Sequence, residues 1–332
     1  MSKVEQAKGN SGSGFHVFEF LYKYGTLITI ALLIVIFGAA TDNFLTGSNL
    51  INILRSISIV TIIAIGLTVS LSVGGFDLSV GSTASLANAV VISMFVWHGY
   101  GIGLSIAITV AFCLVVGLIN ALLVIHFKIQ DMLMTLATMF IFQGVALTYT
   151  RGATISQNMI LPSGDFATGV IPKLFNKLGQ APWIIIIMLI VVLLVHLFLN
   201  YTKHGRYMYM IGGNAEAAKL SGIAVAKYRL FAYLISAVFA GVGGIVLGAR
   251  VMNAEVNSGG SYLMDAVAAA FIGFSVLGSG KPNALGTFAG AVLIGLLSNG
   301  LIMLSVPYYA MDIVKGSVLA LALAITYYKR NH

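Results

Sequence analysis

The sequence predicts an all-α integral membrane protein of about ten transmembrane helices. Three observations predict it. Of 332 residues, 59% are hydrophobic and only 8% charged, with a mean hydropathy of +0.98. A soluble domain carries about 25% charged residues, whereas a charge at a bilayer centre costs roughly 2.5–3.5 kcal/mol on insertion scales. The apolar residues also fall into runs of the roughly 20 residues that a spanning helix needs. Finally, the basic residues collect in alternate connecting segments, as cytoplasmic loops require.

Taken in order, residues 1–23 form a polar segment that opens MSKVEQAKGNSGSG. The apolar run from Thr26 to Ala40 has the length of a signal-peptide core, about 7–15 residues. The partly apolar stretch Phe15 to Tyr24 extends it into an uncleaved first helix. The spans read as 24–41, 50–72, 78–97, 102–126, 131–150, 182–200, 228–249, 263–279, 285–305 and 308–328. They make one transmembrane domain over 24–328, followed by a short tail at 329–332. The third and eighth are rich in Ser, Ala and Gly and are weakly apolar.

With the N-terminus inside, ten spans return the C-terminus to the inside. The inner segments then hold Lys3, Lys8, Lys23, Lys128, Lys203, Arg206, Lys219, Lys227, Arg229, Lys281, Lys329 and Arg330. The outer ones hold only Arg55, Arg151, Lys173, Lys177 and Arg250. That bias sets the orientation. Two connections are long: an outer loop over 151–181, with turn signals in LPSGD, IPK and AP, and a basic inner loop over 201–227.

Composition excludes several functions. The net charge of +8 belongs to inner loops, since no basic–aromatic stripe of the kind that reads single strands is present; no nucleic-acid partner is expected. A single cysteine, Cys113, rules out an intrachain disulfide. His98, His126, His196 and His204 lack metal-ligand spacing, so no metal is expected. No HExxH or GxSxG motif is present, so an intramembrane enzyme has no support. A phosphate-cradling loop needs G-x-x-x-x-G-K-[ST]; the only Gly-Lys pair, Gly280-Lys281, runs into Pro282. The chain is therefore expected to bind no ATP, and its energy to come from a partner or an ion gradient.

Glycines inside spans point to close helix packing. Gly244/Gly248 and Gly286/Gly290 are GxxxG pairs. Two stretches, Gly74–Ser85 and Leu263–Gly280, each break a span with small residues beside one aspartate. Interrupted helices in matching positions suggest an internal, inverted repeat of the kind transporters use.

Two motifs carry function. The first is Gly74-Gly75-Phe76-Asp77-Leu78-Ser79-Val80-Gly81-Ser82, lying between apolar stretches with almost no hydrophilic loop. Glycines free backbone groups there, and these need partners in protein or in a watery cavity. Asp77 either braces this break or faces a polar solute; Ser79 and Ser82 are its partners or cap the next helix. The second is Gly205-Arg206 followed by Gly212-Gly213-Asn214-Ala215-Glu216-Ala217-Ala218-Lys219-Leu220-Ser221-Gly222-Ile223. Asn214 is a good N-cap, Ala215 to Leu220 a good short helix, and Gly222 a good stop. This places a short helix outside the membrane, either as a connector or as a docking element.

Together these residues resemble a family. GGFDLSVGS is similar to the GGIDLSVGS signature of bacterial simple-sugar ABC-transporter permeases of the ribose/galactose/xylose type, and GGNAEAAKLSGI to that family's ATPase-coupling loop. Ala249-Arg250, Gly260 to Ala269, Leu277-Gly278-Ser279-Gly280, Gly286-Thr287, Ser298-Asn299-Gly300-Leu301 and Lys315-Gly316 continue the resemblance, which runs from about Phe44 to Tyr327. Phe76 replaces the signature's Ile, Asp312 stands where an uncharged polar residue is usual, and a Pro after the Arg250 region is missing. Asp312 and Lys315, at i,i+3, are expected to pair within the last helix.

The resemblance implies a multi-pass permease of the bacterial cytoplasmic membrane that has no cofactor, ATP and Mg being bound by a partner. The partners implied are a second copy or paralogue, a cytoplasmic ATPase, an extracytoplasmic solute-binding protein and membrane lipid. Arg206, Gly212, Gly213, Asn214, Glu216, Ala217, Ala218, Lys219, Leu220, Ser221 and Gly222 would form the coupling loop. Phe76, Asp77, Ser79, Asn88, Asp265 and Asn299 are candidates for the path or gate. For Asp265 the alternative is helix N-terminal capping; for Asn88, Asn120 and Asn299 it is hydrogen bonding between helices. Arg151, Arg250 and Glu255 are candidates for receiving the binding protein. An ion-coupled secondary transporter is the rival reading, with Asp77, Asp265 and Asp312 as coupling groups.

Overall fold

A computed structural model describes residues 12–161, 164–276, 280–307, 309–318 and 320. Lys3 and Lys8, the Lys23 side chain, Pro162 and Ser163 of the outer loop, Leu277-Gly278-Ser279, about half of the last expected span and the 329–332 tail lie outside the described residues.

The described chain is helical: α1 Gly12–Ala40, α2 Gly47–Ser72, α3 Val80–Val96, α4 Ile102–Phe127, α5 Asp131–Thr150, α6 Lys173–Leu178, α7 Trp183–Tyr201, α8 Lys203–Gly213, α9 Ala215–Leu220, α10 Val225–Val251, α11 Gly260–Ser275 and α12 Ala284–Met303. Among the described residues, α2, α4, α5, α7, α10 and α12 are long and apolar enough to cross a membrane. Tyr24–Ala40 of α1, α3 and the apolar part of α11 are shorter apolar helices. Residues 309–318 are helical where the tenth span was expected.

Burial sorts the helices. About two-thirds of the apolar window of α2 (67%) and 61% of that of α10 are buried, against 22% for α5 and 33% for α7. So α2 and α10 form the axis, while α5 and α7 turn apolar side chains such as Phe140, Ile141, Leu193 and Leu194 outward. An apolar outer surface of this kind suits a lipid solvent. Both GxxxG pairs lie at close crossings. A Cβ at Gly244 would collide with the Ala84 carbonyl of α3, and one at Gly290 with the Ala269 carbonyl of α11. Backbones approach there because no side chain intervenes.

The bundle has two ends. At one, α8 and α9 lie across the end of α2 and the start of α10: Gly212 abuts Ser72 and Gly74, and His204 Nδ1 shares a hydrogen bond with the Tyr228 hydroxyl at 3.0 Å. At the other, Asn49 and Asn299 exchange amide hydrogen bonds at 2.9 and 3.0 Å, Phe95 packs at a tilt against Phe175, and Ile155 bridges Ala254.

The third and eighth expected spans are cut short. At 17 and 16 residues, α3 and α11 are about 26 and 24 Å long, less than the roughly 30 Å of hydrocarbon. The eighth begins earlier than expected, at Gly260 instead of 263. Its preceding turn folds back into the bundle, where the Gly259 amide donates to Ser85 Oγ at 2.9 Å and Gly259 rests against the Gly81 carbonyl. Buried Gly259, just before α11, therefore lies beside the first turns of α3.

Candidate functional site

The break between α2 and α3 is built by Gly74. Its φ of +73° is a conformation that favours glycine. It lets Gly74 N–H donate to Leu71 O and Gly75 N–H to Ser70 O, both at 3.0 Å, the paired bonds that close a helix in a Schellman turn.

Asp77 lies beyond this turn, 0% exposed. Its Oδ1 accepts from the Ser79 amide at 3.0 Å and from Ser79 Oγ at 2.6 Å; its Oδ2 accepts from Ser236 Oγ of α10 at 2.8 Å. Asn120 of α4 donates from Nδ2 to Ser79 Oγ at 2.7 Å. From α5, Thr135 Oγ1 donates to Phe76 O at 2.8 Å and accepts from the Leu78 amide at 3.1 Å. One irregular segment is thus tied to three helices, and the freed Phe76 carbonyl and Leu78 and Ser79 amides find the side-chain partners that buried polar groups require. Ser79 precedes α3 but makes no side-chain cap; its hydroxyl serves Asp77 instead. Ser82 donates to Ser79 O at 2.9 Å. Phe76 packs on Phe271 of α11, ring centres 5.7 Å apart.

A second polar cluster lies just beneath, and neither of its main residues stood out in the sequence. Arg229 Nη2 of α10 donates to both carboxylate oxygens of Asp131 of α5, at 2.5 and 2.6 Å, and the Tyr233 hydroxyl donates to Asp131 Oδ2 at 2.5 Å. A Cβ at Gly75 would come within 2.9 Å of Asp131 Oδ2 and 3.0 Å of the Tyr233 hydroxyl. The second glycine of the motif makes room for this pair. The available signal was opposite charges opening two expected spans, at 131 and just past 228.

At the α8–α9 end the short helix has the expected form. Asn214 Oδ1 accepts from the Ala217 amide at 2.9 Å, α9 runs Ala215–Leu220, and Gly222 follows with φ +79°. Arg206, Gly212, Gly213, Asn214, Glu216, Ala217, Lys219, Ser221 and Gly222 are exposed, Ala218 is buried, and Leu220 is 89% exposed. The preceding α8 was not foreseen as a helix. Thr202 Oγ1 caps it by accepting from the Gly205 amide at 3.1 Å, and Gly205, Met208 and Ile211 form its buried face. A cavity of about 320 Å³ lies beneath, lined by Tyr207, Met210, Ile223, Lys227 and Tyr228 among others.

The remaining expected residues are spread over the rest of the bundle. Asn88, fully buried, donates to Ser258 Oγ at 3.0 Å. Arg151 and Glu255 are exposed at the opposite end. Arg250 Nη1 donates to Arg55 O at 3.4 Å, and Arg55 itself bonds the Gln180 side chain. Two expectations are corrected. Lys315 pairs with Asp265, at 3.0 and 3.1 Å, and not with Asp312. Asp312 is exposed while Asp265 and Lys315 are largely buried, so pairing the two desolvated charges relieves the larger cost. Asp265 does not cap its helix, because α11 starts five residues earlier and leaves it in the second turn. Among the described residues no three His, Cys, Asp or Glu side chains come together as a metal site.

A family model described as "Branched-chain amino acid transport system / permease component" matches residues 49–323. The chain belongs to this permease family. The permease is similar to the ribose import permease protein RbsC of Escherichia coli (strain K12), 34% identical over 317 residues, 95% of this chain and 97% of that protein. RbsC of Bacillus subtilis (strain 168) is 33% identical over 309 residues, 92% of each chain. The xylose transport system permease protein XylH of Haemophilus influenzae (strain ATCC 51907 / DSM 11121 / KW20 / Rd) is 30% identical over 359 aligned positions, 92% of this chain and 96% of that one. No solved structure matches the permease. It is accordingly a multi-pass subunit of an ABC importer in the cytoplasmic membrane, and not an enzyme.

Proposed function

We propose that the permease forms half of a translocation pore for a simple sugar or similar polar solute, powered by a separate cytoplasmic ATPase. The observation that carries this reading is α9. It is a short hydrophilic helix closed by its own caps, seated on the bundle through Ala218, with Leu220 89% exposed at its end. A lone apolar side chain on a charged, exposed turn is suited to fill a pocket on a partner. Arg206 and Gly212 to Gly222 form the docking surface; ATP and Mg are bound by the ATPase, and the permease holds no cofactor.

The α8–α9 end and both termini are cytoplasmic in this reading, which the basic bias of those segments supports. About ten spans result when 308–328 joins the apolar helices. In chain order long α2 is followed by short α3, and long α10 by short α11, which supports the inverted repeat. A second copy or paralogue completes the pore, lipid surrounds it, and Arg151, Arg250 and Glu255 receive an extracytoplasmic binding protein. Likeness to ribose and xylose permeases over nearly the whole chain supports a sugar. Asp77 and Ser79 act as the brace of the α2–α3 break, Phe76 against Phe271 as a gate, and Asn88, Asp265 and Asn299 along the path. Asn88 Oδ1 is buried with no hydrogen-bond partner, which supports an encounter with a polar solute.

The test is uptake of D-ribose and D-xylose into proteoliposomes holding the permease with the ATPase and binding protein encoded beside it. Uptake is expected to require ATP, and Leu220→Arg to abolish both uptake and co-purification of the ATPase. Uptake driven by an ion gradient through the permease alone would refute the reading.

A further inference from the structure

We infer that Tyr209 is the positioning residue that ties α8, beside the docking surface, to the α11–α12 limb. The inference rests on the reading of α8 and α9 as the ATPase surface.

The short α9 has little hold on the bundle; Ala218 is its one buried residue. Besides its short link to the start of α10, α9 rests on α8, whose inner side meets three separate elements. His204 bonds Tyr228 of α10. Gly212 lies on the Ser72 carbonyl at the end of α2, with no room for a Cβ. The Tyr209 hydroxyl donates to the Pro282 carbonyl at 2.8 Å, just before α12. The first two contacts lead to the axis helices and the Asp77 brace, from which the Thr68–Thr287 hydrogen bond at 2.7 Å continues to α12; the third leads to the other limb directly.

That third tie is also built to hold. The Lys281 ammonium lies over the Tyr209 ring, 5.3 Å from its centre, a favourable cation–π distance. Burial pushes the Tyr209 hydroxyl up to about 12, so it remains a donor throughout the physiological range. Pro282 is stiff, its φ fixed by its ring, and Asn283 follows at once as the side-chain cap of α12, accepting from the Gly286 amide at 2.6 Å. A pull on the Pro282 carbonyl therefore reaches the first turn of α12 through few soft torsions. The limb it reaches carries Phe271, which faces Phe76, and Asp265.

The experiment uses the complete importer in nanodiscs, with Cys113→Ala as background and Leu285→Cys as reporter. Leu285 is the second residue of α12 and 44% exposed. Its labelling rate by a water-soluble maleimide is compared between the nucleotide-free and vanadate-trapped complexes, which needs no knowledge of the solute. A nucleotide-dependent change is expected with Tyr209 in place. With Tyr209→Phe, which keeps the ring and deletes the donor, ATP hydrolysis per complex is expected to persist. The labelling change should shrink about fivefold, the weight of one neutral hydrogen bond. Pro282→Gly, which keeps Tyr209 and slackens the acceptor, should shrink it too, and guards against a Tyr209→Phe chain that fails to fold. An undiminished change in both variants, or no nucleotide-dependent change with Tyr209 present, overturns the inference. If Leu220→Arg still releases the ATPase in those cases, the docking reading survives and only the transmission role falls.

Discussion

Ser236 and Asp77 are 159 residues apart in sequence, yet the Ser236 hydroxyl donates to Asp77 Oδ2 at 2.8 Å. This bond pins the broken segment between α2 and α3 to the axis helix α10. Ser236→Ala is expected to cost about 1.5–3 kcal/mol, the range for a hydrogen bond to a charged group. Asp77→Ala is expected to cost more, because it strands the Ser79 amide, Ser79 Oγ and Ser236 Oγ together. Detergent-resistance midpoints of the purified variants check the order; equal stabilities would show that Ser236 is dispensable to the brace.

The Asp131–Arg229 pair gives a second outcome. The side chains retain 13% and 26% exposure, so water screens them only in part. Either single alanine variant leaves a half-buried charge behind. A double-mutant cycle is expected to return a favourable coupling of about 0.5–3 kcal/mol, with the double variant more stable than the sum of the single losses implies.

Close packing at Gly290 is expected to be intolerant of growth. An added Cβ meets the Ala269 backbone of α11, which cannot rotate away. Gly290→Ala should destabilise by about 1–3 kcal/mol, the usual cost of overpacking, whereas Gly103→Ala, with open space around it, should be nearly silent. Thermal unfolding of the two variants side by side decides it.

Lys315→Met should be tolerated less well than the pair Lys315→Met/Asp265→Leu. The single change strands Asp265 in a largely apolar setting, and the double change removes both charges. Asp312→Asn, at an exposed position outside the ion pair itself, should change stability by no more than about 0.5 kcal/mol. Expression level and melting midpoint of the three variants are the measurements.

Much of this architecture was legible in residue order because the physics involved is local. Apolar run lengths give the spans, Asn214 and Gly222 bound α9 by cap chemistry, and Gly74 marks the turn that ends α2. What stayed hidden was tertiary. Nothing near Asp77 in sequence indicates that Ser236 and Asn120 complete its shell. Lys315 has an acidic neighbour at i−3, so local reasoning chose Asp312, while the fold offers a less solvated carboxylate on another helix. The helix α8 was obscured by Gly205, Gly212 and Gly213, poor helix formers, although Gly205, Met208 and Ile211 recur at helical spacing. Asp131 and Arg229 looked like ordinary loop charges because each sits at the edge of a span.

The meeting of Gly259 with the Gly81 carbonyl has a consequence for how such a bundle can open. Backbone meets backbone there, with only the short Ser85 side chain bonding across, where the turn before α11 crosses the start of α3. Flexible side chains at such a junction would act as padding, swinging to keep it plugged while the helices drift apart. Rigid main chain has no such slack, and packed interfaces switch between arrangements more readily than they stretch. The contact is therefore expected to be either made or broken, a latch between two helix starts with no intermediate setting.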